Sequence, residues 1–123
     1  MTRINISEMN VEQLVERFVD IALDQDIAIH QYDTAKFNRL FEQMEAVDGE
    51  LKARVGDQRR ALLRLYGHPN AQVRLTAAKA TLAVAPDAAR HLLQTIADSH
   101  EHPHAGDAGM CLVALDRGIF KPS

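Results

Sequence analysis

The sequence predicts an all-α protein of about six helices, with an N-terminal helical pair packed on a short array of helical hairpins. Three observations predict it. Apolar residues recur at intervals of three and four along most of the chain, the spacing of one helix face. No segment shows the apolar–polar alternation of period two that marks a half-buried strand. One central stretch, HPNAQVRLTAAKATLAV from His68 to Val84, is apolar over so wide an arc that it must be covered on more than one side.

In the first helix Val11, Leu14, Val15, Phe18, Ile21 and Ala22 share a face. Asn10 followed by Gln13 spells a capping box at its start, with Ser7 as an earlier cap candidate. The second helix carries Phe37, Leu40, Phe41, Met44, Val47, Leu51 and Val55, with Asp33 or Thr34 as its cap. Gly49 sits inside that pattern at a cost of about 1 kcal/mol relative to Ala, so a bend or break is expected there. Asp57 is expected to cap a short third helix that turns Ala61, Leu62, Leu65 and Tyr66 inward. Gly67 is then placed for a left-handed C-terminal cap, and Pro69 prevents continuation.

Asn70 caps the fourth helix. Val73, Ala77, Ala80 and Val84 make one face of it; Ala78, Leu82 and Ala85 make the next. Small side chains let neighbouring backbones approach closely, so this is the expected centre of the fold. Pro86 ends it and suits the first position of the fifth helix, which turns Ala89, Leu92, Leu93 and Ile96 inward. Pro103 and Gly106 bracket a loop. A sixth helix is expected from about Asp107 to Arg117, with Ala108, Cys111, Leu112 and Leu115 inward and Gly118 closing it; Phe120 can dock the tail. HPNA at His68 recurs as HPHA at His102, 34 residues on, a period found in two-helix solenoid repeats. The expected organisation is one domain, with the helical pair in residues 1–56, the hairpins in 57–118 and a tail in 119–123.

These residues carry a resemblance. HPNAQVRLTAAKATL resembles the HEAT repeat, on Val73, Arg74, Ala77, Ala78 and Leu82. LKARVGDQRRALLRLYGHPNAQVRLTAAKATLAVAP and AGDAGMCLVALDRG are similar to an uncharacterised bacterial domain-of-unknown-function family of short HEAT-like helical proteins. The resemblance implies an α-α superhelix whose surface takes protein or, more rarely, nucleic-acid partners. In the second repeat Asp107 stands where Arg74 stood and Gly106 where Val73 stood, a departure from the pattern. Arg74 is expected to tie adjacent turns together, a structural role shared with Asn70, Ala77 and Ala80.

The bulk numbers bound the function. At 123 residues, 46% hydrophobic and 25% charged, the chain suits one soluble domain with a real core. No apolar run approaches a membrane span, and the N-terminus lacks an apolar signal region. Cys111 is the only cysteine, which fits a reducing cytoplasm. A net charge of -3 makes no global case for nucleic acid. The charge is uneven, however. Residues 1–50 hold eleven acids against four bases, and residues 51–79 hold seven bases against Asp57 alone.

Arg60 and Arg64, four apart on one line of the third helix, join Arg54 and Arg59 as candidate contacts for a protein partner. The whole stripe from Lys52 to Arg64 is the alternative case for phosphate tracking. The plainer reading pairs these bases with the chain's own acids, of which Glu8, Glu12, Glu16, Asp20 and Asp24 recur every four residues. His100, His102 and His104 offer a weaker alternative, a metal site, though a loop interrupted by Pro103 gives imidazoles little rigidity. Cys111 on an apolar helix face reads as an inert thiol. No phosphate loop, metalloprotease motif or nucleophile–base pair is present in the sequence. The expectation is a non-enzymatic protein-interaction module without a cofactor.

Overall fold

A computed structural model describes residues 5–123, and every regular element among them is helical. A short 3-10 turn, Ile6–Glu8, precedes α1 (Val11–His30) and α2 (Thr34–Ala53). A longer 3-10 helix, Gln58–Gly67, leads to α3 (Ala71–Ala80), α4 (Pro86–Asp98) and α5 (His104–Asp116). The all-α class is as the sequence predicts. No helix among the described residues is long and apolar enough to cross a membrane. The chain divides between Ala61 and Leu62 into two compact units.

The first unit is built on the α1–α2 hairpin. Asn10 and Gln13 form the capping box: the Asn10 side chain accepts from the Gln13 N–H at 2.8 Å, and the Gln13 side chain accepts from the Asn10 N–H at 2.9 Å. Asp33, rather than Thr34, caps α2 by accepting from the Lys36 N–H. Leu14, Val15, Phe18, Ile21 and Ala22 of α1 are buried, as are Leu40, Met44, Val47 and Leu51 of α2. Arg17 donates to Gln43, and Arg54 donates to the Met9 carbonyl, so the two helices run antiparallel. Gly49 does not break α2. Buried Val47 and Leu51 flank it, and their packing outweighs the propensity cost of one glycine.

The apolar row of α2 stops at Leu51. Val55 is 94% exposed, because Gly56 (φ 78°) and Asp57 (φ 50°) both adopt left-handed backbone and reverse the chain. Asp57 then caps as expected, its Oδ1 accepting from the Arg59 N–H at 3.2 Å. The segment it caps is a 3-10 helix and not an α-helix. The buried residues Arg59, Leu62 and Leu65 are spaced by three, which is one row at three residues per turn. Gly67 is not left-handed; it ends a 3-10 segment and needs no such cap.

In the second unit Asn70 caps α3, accepting from the N–H groups of Gln72 (2.8 Å) and Val73 (3.1 Å). One side of α3 places Leu75 and Ala78, with Leu82 beyond, in a core with Ala89, Leu93 and Ile96 of α4 and Ala108 and Leu112 of α5. Val73 and Ala77 lie outside that cluster and are also fully buried, while Ala80 is half-buried. The helix is therefore covered on two sides. It ends at Ala80, well short of Pro86, where it is expected to end. The Thr81 hydroxyl bonds the Ala77 carbonyl and the Tyr66 hydroxyl, and the chain turns there. Pro86 opens α4 as expected. The start of α5 lies at His104, earlier than expected, and Gly118 (φ 68°) closes it with its N–H on the Leu115 carbonyl.

The two-sided cover of α3 sets a stability expectation. Ala78→Leu forces a larger side chain into the core and destabilises the protein by about 1–3 kcal/mol. Ala88→Leu, on the exposed side of α4, stays within about 0.5 kcal/mol of the parent. Paired urea denaturation curves measure both.

Candidate functional site

The basic cluster is dispersed by the fold. Arg54 is half-buried and works as a clasp. Its Nε donates to Glu50 at 2.6 Å, and its guanidinium caps the carbonyls of Ile6 (3.2 Å) and Met9 (2.7 Å), which closes the open end of the hairpin. Arg59 is not a surface contact residue: it is 6% exposed and grips the Asp57 carboxylate with Nε (2.9 Å) and Nη2 (2.7 Å). That grip holds the Asp57 carboxyl below the usual carboxylate range and the Arg59 guanidinium above its own. Arg60 and Arg64 are each engaged in an interaction of their own. They do not share a line, since residues four apart on a 3-10 helix sit about 120° apart.

Asp48 stands in the field of this ion pair. Its Oδ1 is buried and accepts no hydrogen bond. Burial raises its carboxyl above the ordinary value, with the nearby Asp57 charge adding to the rise; the charges of Arg59 and Lys52 pull the other way.

The histidine loop does not assemble a site. His100 (φ 62°) and His102 are exposed, while His104 turns inward at 7% exposure as the first residue of α5. Among the described residues no three His, Cys, Asp or Glu side chains gather to hold a metal ion. Cys111 packs half-buried against the second unit's core, and burial pushes its thiol up. Arg74 donates to the carbonyls of His68 (2.7 Å) and Pro69 (2.9 Å) and lies 3.8 Å from Glu101, tying the start of α3 to the segments around it. A groove of about 320 Å³ touches Leu82, Pro86, Arg90 and Leu115, but Arg90 is already engaged with Asp116 at 2.5 Å.

The surface that stands out is the outer side of α5. Its inner side buries Ala105, Ala108 and Leu112. Its outer side presents Met110 (76% exposed) and Val113 (49%), on one row with Gly106 and Arg117. Ile119 (74%) and Phe120 (40%) come at its end, their N–H groups both folded back onto the Ala114 carbonyl. Ion pairs border the row: Lys79–Asp107 on one flank and Arg90–Asp116 on the other. The inward set expected from the sequence covers only the buried side. The signal for the outer side is the unbroken run Met110 to Leu115, since a helix with six consecutive apolar residues cannot bury them all on one side.

A family model described as Domain of unknown function (DUF2019) matches residues 12–116. No curated protein matches the chain. The crystal structure of the protein RPA1889 from Rhodopseudomonas palustris CGA009 is similar over nearly the full length of both molecules. It shares 50% identity with a TM-score of 0.94, covering 98% of this chain and 100% of that one.

A pH dependence follows from Asp48. The folded chain holds that proton to higher pH than the unfolded chain does, so folding stability falls as pH rises through the raised pKa and stays lowered above it. Asp48→Asn removes the charge that burial penalises. Its melting temperature exceeds that of the parent at pH 7, and the advantage disappears near pH 3, where Asp48 is protonated in both states. Thermal melts monitored by circular dichroism across that range measure the crossing.

Proposed function

The chain belongs to the DUF2019 family, and we propose that it is a HEAT-like protein-interaction module, an α-α superhelical stack that presents the outer side of α5 to another protein. The observation that carries this reading is that α5 is apolar on two opposite sides, of which one packs into the core with α3 and α4 and the other, among the described residues, lies exposed. Large exposed side chains that cluster on one helix side mark an interaction surface more often than scattered ones do. The arrangement also has the anatomy of an interface, an apolar centre within a charged rim. Two further features support a HEAT-like stack: α3 is covered on two sides, and Arg74 ties its first turn to neighbouring carbonyls and to Glu101. The interaction surface moves accordingly from the basic cluster, where Arg54 and Arg59 serve their own unit, to Met110 and Val113.

The test is a photo-crosslinking amino acid placed at position 110, and separately at position 60, in cells of the native host. Adducts with protein are expected from 110. Adducts from 60 alone, or none from either position, overturn the α5 reading.

A further inference from the structure

We propose that the outer side of α5 is covered by a second copy of this chain, in an antiparallel pairing of α5 with α5 about a two-fold axis between Met110 and Val113. This inference rests on the reading of that side as an interface, and it names the occupant.

The row is suited to its own copy. Gly106, Met110, Val113 and Arg117 lie at steps of four, three and four residues, a spacing symmetric about the midpoint of Met110 and Val113. A two-fold axis there sets each Met110 against Val113 of the second copy. It sets each Arg117 against Gly106 of the second copy, beside that copy's Asp107. Basic Arg117 and Lys121 stand at one end of the row, beside an Asp116 already held by Arg90, and Asp107 at the other end is held by Lys79, so the antiparallel sense keeps the two basic ends apart and a parallel one brings like charges together. Lys79–Asp107 and Arg90–Asp116 are closed within each copy, so the flanks meet without net repulsion.

The shape agrees with the charge. A side chain atom added at Gly109 would meet nothing within 4 Å, and one at Gly106 only the His102 ring at 3.8 Å. Small residues thus leave room beside Met110 for a neighbouring backbone. The exposed parts of Met110, Val113, Ile119 and Phe120 amount to roughly 450 Å² in all, within the range of about 300–600 Å² of the largest apolar patch on a protein surface. That is more than half of the ~800 Å² per partner that a stable dimer buries. The rim residues can supply the rest.

The experiment is sedimentation equilibrium of the purified full-length protein, with Met110→Glu and Arg117→Glu as variants. Both positions are exposed, so the variants are expected to keep the parent's circular dichroism. The parent sediments at twice the 13.7 kDa chain mass. Met110→Glu sediments at the chain mass, and Arg117→Glu dimerises at least tenfold more weakly, about 1.4 kcal/mol. A parent that stays at the chain mass up to about 1 mM overturns the proposal, as does a dimer that Met110→Glu leaves intact. If the parent is monomeric while position 110 crosslinks to a different protein in cells, the second copy is excluded and the interface reading stands. If neither occurs, both fall.

Discussion

Everything in the second unit depends on α3 being thin. A helix that carries Ala77 and Ala78 on adjoining faces presents almost no side-chain bulk there, so it can be enclosed from both directions at close backbone distance. Leu75 and Leu82 then supply the apolar volume on the side where α4 and α5 gather. Enclosure of this kind is intolerant of added atoms, because packed interiors have few voids to absorb them. It also explains why α3 is short. Once Thr81 has bonded back to the Ala77 carbonyl and to Tyr66, the backbone is free to turn toward Pro86 and bring α4 alongside.

The arginines show a second economy. Three of them serve as internal fasteners and not as a display of charge. Arg54 gathers carbonyls at the open end of the first hairpin, Arg59 clamps the corner after α2, and Arg74 holds the carbonyls ahead of α3. A planar guanidinium with several donors suits such tasks better than an ammonium does. The concentration of base in residues 51–79 is thus largely an architectural feature, and charge counted along the sequence overstates how much of it faces outward.

Local chemistry is the legible part of the sequence. The Asn10–Gln13 box, the Asn70 cap, Pro86 at a helix start and Gly118 at a helix end are each decided within a few residues, and each stands where the pattern places it. The all-α class is legible for the same reason, since spacing alone carries it. Tertiary context decides the rest. Gly49 is tolerated because of Val47 and Leu51, which propensity does not weigh. The segment after Asp57 has residues that satisfy three or four per turn equally well, and the burial of Arg59 with Leu62 and Leu65 selects three. Arg59 is expected on the surface and lies buried because its partner is only two residues away, at a corner no helical pattern anticipates. Of the candidate site, the run from Met110 to Leu115 is visible in the sequence, but which of its members face outward depends on where α4 lies.

The corner at Asp57 has a further implication for how the chain can vary. Its left-handed backbone favours a residue without a side chain, while the guanidinium behind it requires a carboxylate. Glycine would relax the peptide and remove the carboxylate that Arg59 grips with two nitrogens; glutamate would keep the charge and lose the short reach. Aspartate meets both demands at once, so a change at residue 57 alone gives up one of them.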